Sequence, residues 1–234
     1  MTVTSDFRQA LKAALPIFIG YFPAATAFGI LAKAVGISFL ECFLFSAIVF
    51  AGASQFIALN LVVTGMSAGG IILTTLLVNF RHFLMSASLS TRIKHIGRKF
   101  HFPLAFGVTD EVFSVLSFTK GQLSKTFIFF LELSAYSAWV SGTIAGFVLG
   151  GFLPEVLTKS MGVALYALLL AILLPELKKS TKSLVLAISA GILNTTLIKL
   201  DLLPKGWTII VCILVIASIG AFINGKEEIE EANG

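Results

Sequence analysis

Long apolar stretches recur along the whole chain and constrain its fold more than any other feature. An α-helix needs about 20 apolar residues to cross the roughly 30 Å hydrocarbon layer of a membrane. Eight stretches approach that length, at about residues 12–32, 39–64, 69–91, 103–118, 126–150, 156–175, 183–200 and 206–224. The sequence therefore predicts an all-α fold, a polytopic transmembrane helical bundle.

The composition agrees with a membrane protein that has no separate soluble domain. The 234 residues are 57% hydrophobic and 12% charged, with a mean hydropathy of +0.97, which is more apolar surface than a soluble domain of this size can bury in one core. The first stretch continues past Pro16 and Pro23 to about Ala32, longer than the apolar region of a secretory signal, so we interpret it as a retained first span. We expect one transmembrane transporter domain over residues 1–225 and a polar, frayed tail over residues 226–234.

Charge, cysteine and motif content argue against several classes of function. The net charge of +5 comes largely from short basic runs between apolar stretches, a pattern typical of cytoplasmic loops rather than of a nucleic-acid surface. Cys42 and Cys212 lie inside apolar stretches without the spacing of metal ligands, so we expect neither a disulfide nor a bound metal. The sequence contains no zinc-protease, hydrolase-elbow or Walker motif, so we predict no enzyme activity, no catalytic residues and no cofactor.

The positions of the basic runs constrain the topology. If all eight stretches crossed, the runs at residues 92–101 and 178–182 would lie on opposite sides, against the positive-inside tendency. The stretch at residues 103–118 is short and contains Asp110 and Glu111, so we predict that it is re-entrant. About seven crossings then remain, with the N-terminus outside. Eight full crossings with both termini inside are the alternative.

Seven crossings imply an internal repeat of opposite orientation. Spans one to three then start outside and the next three start inside, which is the inverted-repeat arrangement of many secondary transporters. Gly29 corresponds to Gly146, and Asn79 to Asn194, at similar but unequal offsets. These two matches are the sequence support for the repeat.

The segment Val78–His82 places three polar side chains within the apolar run Ile71–Leu89. An arginine at the centre of a bilayer costs about 2.5–3.5 kcal/mol even on lenient insertion scales, so Arg81 should face the bundle interior, a wet cavity or a partner. We predict that Asn79 and Arg81 bind a substrate. The unperturbed pKa of a histidine side chain is close to neutrality, so we predict that His82 relays a proton. A neutral, satisfied imidazole is the alternative for His82.

Asp110 and Glu111 are the acidic counterpart of Arg81. Buried carboxyl groups either pair with a cation or take up a proton, so we predict that both residues take part in a proton relay. A structural ion pair with Arg81 explains the same residues without transport. Glu132, one turn before Tyr136, is a weaker case that also fits a side chain reaching the membrane interface.

Two further motifs contribute candidate substrate ligands. Pro16, Gly20 and Pro23 predict a kinked or broken first helix. Its free amides and carbonyls would hold the charged ends of a substrate, so we place Gly20 and Pro23 at the site. Gln55 follows three small residues and offers both a donor and an acceptor where water is scarce, so we place it there too. The alternative for the first helix is a proline kink that only packs against a neighbour. The alternative for Gln55 is a hydrogen bond between helices.

The order of these motifs resembles the AzlC family, the large subunit of bacterial branched-chain amino acid exporters. The matching segments are Gly20–Gly29, Ala51–Phe56, Val78–His82 and Thr109–Glu111. The resemblance implies a multi-pass protein of the bacterial cytoplasmic membrane that exports leucine, isoleucine and valine, with methionine as a further candidate, driven by the proton motive force. It also implies a small four-span partner subunit of the AzlD type.

The residues themselves leave three functions open. The lead hypothesis is a proton-coupled exporter, in which Arg81 binds the carboxylate of the amino acid and phenylalanine-rich walls accept its side chain. The second is a non-transporting membrane scaffold whose buried polar groups only lock helices together. The third is an ion channel, which would conduct without saturation by leucine.

Overall fold

The computed structural model describes residues 3–152, 174, 177–178, 181–201, 203 and 207–233, and no strand occurs among them. The helices are α1 (Val3–Ala34), α2 (Phe39–Leu44), a π-helical turn (Phe45–Val49), α3 (Gly52–Val63), α4 (Ala68–Ser90), a 3₁₀ turn (Arg98–Phe100), α5 (His101–Phe106), α6 (Asp110–Phe118), α7 (Lys125–Gly150), α8 (Thr181–Leu200) and α9 (Trp207–Asn233). The predicted all-α membrane bundle is confirmed.

Four of the described helices are long and apolar enough to cross a membrane. They are α1 over Asp6–Ala34, α4, α7 and α8. Shorter apolar helices cover Phe39–Val49, Gly52–Val63 and Trp207–Ala221. The candidate span at residues 156–175 lies outside the described residues apart from Leu174, so seven crossings stay a prediction.

The chain forms two compact units. The first consists of Met1–Phe56 and Asn79–Gly162, and the second of Ile57–Val78 and Val163–Gly234. Every residue that the sequence singles out as a substrate or proton site belongs to the first unit. The second unit has an apolar core of its own, formed by Leu61, Met66 and Ile210 with Ile57, Ile71, Leu73, Leu77 and Ile209 packed against it.

The first unit is built on close packing between α1 and α7. Gly142, Gly146 and Gly150 are spaced four residues apart, so they lie on one face of α7. A β-carbon at Gly142 would lie 2.6 Å from the carbonyl oxygen of Phe22, and one at Gly146 would overlap the carbonyl oxygen of Thr26. The two backbones are therefore in direct contact, as small residues allow in membrane helices.

Gly29 on α1 meets the same interface from the other side. A β-carbon there would overlap the carbonyl oxygen of Thr143 and lie 3.0 Å from the carbonyl carbon of Gly146. Gly29 and Gly146, which the repeat hypothesis matches with each other, are thus in contact. The other matched pair, Asn79 and Asn194, falls in different units.

Contacts between α1 and α7 advance in the same direction along both helices, from Phe22 beside Gly142 to Thr26 beside Gly146, so the two helices run parallel. The predicted inverted repeat starts these two spans on opposite sides of the membrane and is therefore wrong.

The break expected in the first span occurs in the second span instead. Helix α1 runs through Pro16 and Pro23 without interruption, because its long contact with α7 holds the backbone on both sides of each proline. The second span changes from α2 to the π-helical turn and then to Phe50, whose φ of +43° is left-handed. Such a conformation costs about 1–3 kcal/mol for a residue with a side chain, so the surrounding contacts must impose it.

The stretch predicted to be re-entrant is also divided. Helices α5 and α6 have six and nine residues, and non-helical residues 107–109 separate them. Neither helix alone is long enough to cross a membrane.

The C-terminal tail differs from expectation. Helix α9 continues to Asn233 through the segment expected to fray. Lysine, glutamate and alanine are good helix formers and simply extend the helix beyond the apolar part.

Candidate functional site

The start of α6 carries two carboxylates, and both residues are exposed. Thr109 is the N-cap of this helix, and its hydroxyl accepts a hydrogen bond of 3.4 Å from the amide of Val112. Asp110 and Glu111 therefore occupy the first turn, where the positive end of the helix dipole favours negative charge.

Arg81 on α4 pairs with Asp110. Its Nη1 lies 2.6 Å from Oδ2 of Asp110, and the two side chains are 43% and 46% exposed. This is the ion pair that the sequence left open as an alternative to substrate binding. Because both side chains are half exposed, the pair is accessible and not sealed in the core. His82 is half-buried and lies close enough to Arg81 and Asp110 to interact with their charges.

Glu111 has a partner that the sequence analysis did not assign. The hydroxyl of Tyr21, on α1, donates a hydrogen bond to Oε2 of Glu111. The ring of Tyr21 packs edge-on against Trp139, with ring centroids 5.6 Å apart, and against Phe50 at 6.5 Å. Tyr21 lies between Gly20 and Pro23 in the sequence. A phenol hydroxyl inside an apolar span is the sequence feature that could have identified it as a candidate site residue.

The structure thus brings four of the predicted site residues together and adds one. We call this set the polar cluster, and it consists of Tyr21, Arg81, His82, Asp110 and Glu111.

Gln55 belongs to a buried hydrogen-bond network beside the polar cluster. Its side chain is fully buried; Oε1 accepts from Nε1 of Trp139 at 2.9 Å and from the amide of Ala51 at 3.2 Å. Nε2 donates to Oγ of Ser46 at 2.9 Å, and Ser46 bonds Thr143 at 2.8 Å. This is the helix-to-helix bonding that was the alternative for Gln55, and it ties the broken second span to α7.

Three other predicted ligands lie differently. Gly20 and Pro23 are exposed on α1, and a β-carbon at Gly20 would have nothing within 4 Å, so neither residue is enclosed. Because α1 is unbroken, it offers no free amides there. Asn79 is partly buried, and its Oδ1 has no hydrogen-bond partner among the described residues.

A further buried carboxyl group lies on α7. Glu132 is 7% exposed, and it lines two cavities, of about 630 Å³ and about 120 Å³. From the sequence, Glu132 is only a weak candidate for a functional carboxyl group, because it lies close enough to the helix end to reach the membrane interface. The described residues contain no group of three or more histidine, cysteine, aspartate or glutamate side chains arranged to hold a metal ion.

Replacing Tyr21 by phenylalanine is expected to slow substrate translocation about tenfold, because a hydrogen bond to a charged acceptor contributes about 1.5–3 kcal/mol. Initial transport rates in vesicles would measure the change. Ser141→Ala is the control, since it removes a hydroxyl that donates within its own helix to the carbonyl of Ser137. Equal loss in both variants would argue against a specific role for Tyr21.

Replacing Gln55 by leucine is expected to destabilise the protein by about 2–3 kcal/mol. The change leaves Nε1 of Trp139 and the amide of Ala51 buried without partners, and each such group costs about 1–3 kcal/mol. Thermal unfolding in detergent would measure it. Thr195→Val, which removes a hydroxyl bonded within its own helix, is the control. An unchanged melting temperature for Gln55→Leu would contradict the network's structural role.

Comparison with known proteins connects this geometry with a family. Residues 16–153, which include the whole polar cluster and Glu132, match the family described as AzlC protein. The chain is 34% identical to the inner membrane protein YgaZ of Escherichia coli over 234 residues, covering 96% of this chain and 95% of that protein. It is 35% identical to a membrane protein of Archaeoglobus fulgidus over 180 residues, covering 76% and 79%.

A third relative carries a functional name. It is the branched-chain amino acid transport protein AzlC of Bacillus subtilis, 28% identical over 184 residues, covering 77% of this chain and 71% of that protein. No solved structure matches the chain. By the extent of these matches, this integral membrane protein belongs to the AzlC family.

Proposed function

We propose that this protein exports branched-chain amino acids across the cytoplasmic membrane in exchange for protons, together with a small four-span subunit of the AzlD type. The family membership and the name of the Bacillus subtilis relative support transport of this substrate class. The observation that carries the proposal is the accessible ion pair between Arg81 and Asp110 inside a transmembrane unit.

The ion pair supports an exchange of partners. A guanidinium binds any carboxylate with two parallel hydrogen bonds, so the α-carboxylate of an amino acid competes with Asp110 for Arg81. Once displaced, Asp110 has lost its cation, and exchange against protons then requires that substrate and proton load this unit alternately. The substrate-loaded form would move outward, and the returning form would carry the proton on Asp110, His82 or Glu111.

Apolar surroundings account for a shared substrate range. One methylene in an apolar pocket changes binding by about 1–3 kcal/mol, which discriminates weakly among leucine, isoleucine, valine and methionine. We therefore expect all four to compete for efflux.

The deciding experiment is efflux of preloaded radiolabelled leucine from membrane vesicles. The arms compare the protein with and without an inward proton gradient, and with and without a co-expressed four-span subunit. We expect saturable efflux that the proton gradient accelerates and that requires both subunits. Gradient-independent flux without saturation would indicate a channel, and no flux above empty vesicles in any arm would favour the scaffold.

A further inference from the structure

Glu132 is a buried acidic side chain inside a described span. It lies two turns into α7 and is 7% exposed, and its Oε1 has no hydrogen-bond partner among the described residues. No lysine, arginine or histidine of the described part of the chain forms an ion pair with it; the one such pair is Arg81–Asp110.

The backbone beside Glu132 is shaped around its carboxyl group. Gly107, between α5 and α6, has φ −80° and ψ −5°, which any residue can adopt, so a glycine is not needed for its conformation. A β-carbon at Gly107 would lie 2.5 Å from Cδ of Glu132 and 2.6 Å from Oε2. The carboxyl group of Glu132 therefore occupies the space that a side chain at position 107 would need.

The larger of the two cavities at Glu132 suits an aliphatic molecule. Its volume of about 630 Å³ is within the range of small-molecule sites, and its wall is mostly aromatic and aliphatic. Its aromatic and aliphatic residues include Phe100, Phe106, Phe129, Phe130, Leu133 and Tyr136. Glu132 is the acidic group in this wall and Lys125 the basic one, so a ligand with an apolar body and a cationic end placed at Glu132 would be complementary to it.

The smaller cavity, of about 120 Å³, also borders Glu132, and its mostly apolar wall includes three polar residues. Its wall contains Ser86, Ser90 and His101 besides Glu132. Hydroxyl and imidazole groups can pass a proton, whereas the aromatic wall on the other side cannot. Glu132 therefore borders both a small cavity that contains groups able to pass a proton and a larger space for an apolar ligand.

An isolated carboxylate at this depth costs several kcal/mol, so the group needs either a proton or a cation. The titratable groups around it are His101 at the smaller cavity and Lys125 and Tyr136 at the larger one. Nε2 of His101 is held by the carbonyl of Ile96 at 2.9 Å, and Nζ of Lys125 lies over the ring of Phe100 at 4.3 Å.

We propose that Glu132 binds either a proton or the α-ammonium group of an aliphatic amino acid in the larger cavity, and never both. When the ammonium arrives, the O–H bond of Glu132 breaks, the proton leaves through the smaller cavity, and the carboxylate accepts N–H donors of the ligand. Release of the ligand reverses these steps. This inference rests on the proposed amino acid transport. The lining of the larger cavity does not include Arg81, so the inference adds a second substrate position with its own proton exchange.

The first test is the number of protons released when leucine binds to the purified protein in weakly buffered detergent solution. We expect about one proton per leucine at Glu132, and an apparent Kd that rises about tenfold for each unit by which the pH falls, because protonation removes the anionic partner. Glu132→Gln, which resembles the protonated group, should bind leucine weakly and lose this contribution to proton release. A Glu132→Gln protein with unaltered release and pH dependence overturns the inference.

Two further variants keep the test decisive. Glu132→Asp retains the charge, so its leucine binding should stay pH-dependent even if its affinity for leucine falls. A folded Glu132→Asp protein whose leucine binding does not depend on pH overturns the inference. Glu41→Gln, the same substitution at an exposed carboxylate that caps α2 outside both cavities, is the matched control and should leave proton release unchanged.

Partial ligands identify which end of leucine Glu132 recognises. 3-Methylbutylamine, which lacks the carboxylate, should displace leucine from the wild type in a pH-dependent way, and 4-methylpentanoate should not release a proton at Glu132. If the wild type exports leucine against protons but 3-methylbutylamine never competes, this inference fails while the proposed function stands. If the wild type neither binds nor exports leucine, the proposed function itself fails.

Discussion

Replacement of Gly146 by leucine is expected to abolish accumulation of folded protein in the membrane. A β-carbon at this position would overlap the carbonyl oxygen of Thr26 and lie 2.7 Å from its carbonyl carbon. These are backbone atoms of α1 that cannot move aside as a flexible side chain could. Overpacking by a few methylenes costs about 1–3 kcal/mol where neighbours can adapt, so we expect a loss above that range here.

The measurement is the folded fraction of a detergent-solubilised fluorescent fusion, followed by thermal unfolding of whatever is recovered. Gly191→Leu is the matched control, because Gly191 is also inside an apolar helix and a β-carbon there has nothing within 4 Å. Normal yield and melting temperature for Gly146→Leu would mean that α1 and α7 are not in backbone contact. Equal losses in both variants would point to a general effect of leucine for glycine.

The helices that the sequence predicted well are those whose length is set by the membrane itself. Helix α4 was expected over residues 69–91 and runs over Ala68–Ser90, and α7 was expected over 126–150 and runs over Lys125–Gly150. Each is a single apolar run between polar ends, so local composition decides both boundaries. The same reasoning identified Arg81, His82, Asp110 and Glu111, because a charged side chain in such a run is visible without any knowledge of its neighbours.

The position of the helix break could not be read in the same way. Prolines are local signals and pointed to α1, but a proline in a membrane helix is tolerated when neighbouring helices hold it. The actual break at Phe50 depends on partners distant in the chain. The ring of Trp139 occupies the space beside Gly52, and Oε1 of Gln55 takes the hydrogen bond of Ala51. No window of sequence contains these residues together.

The same limit explains which site residues were missed. Tyr21 and Glu111 are 90 positions apart, and only the packing of α1 against α6 reveals their hydrogen bond. Glu132 is a single carboxyl group in α7, and the sequence contains no sign of the cavities on either side of it. Its importance follows from Gly107, whose contact with the carboxyl group is a tertiary fact.

Arg81→Gln is expected to reduce leucine efflux about 10- to 100-fold with little change in stability. Glutamine keeps hydrogen-bonding capacity but cannot form the charge-assisted pair with a carboxylate, which contributes about 1.5–3 kcal/mol. Stability should change by about 1 kcal/mol or less, because the pair with Asp110 is half exposed and such pairs contribute little. Initial efflux rates and detergent melting temperatures, measured on the same preparations, separate the two effects.

Asp110→Asn makes the comparison specific, because the exchange mechanism and a purely structural ion pair predict opposite results for it. If Asp110 competes with the substrate, removing its charge leaves Arg81 free, so leucine should bind more tightly while the proton gradient ceases to accelerate efflux. If the pair is only structural, Arg81→Gln and Asp110→Asn should lower stability alike and leave the transport rate per folded molecule unchanged. The double variant Arg81→Asp with Asp110→Arg separates the two explanations further. If the pair is only structural, the exchange should restore stability. If Arg81 binds substrate, the exchange should not restore transport, because the guanidinium then projects from α6 instead of α4.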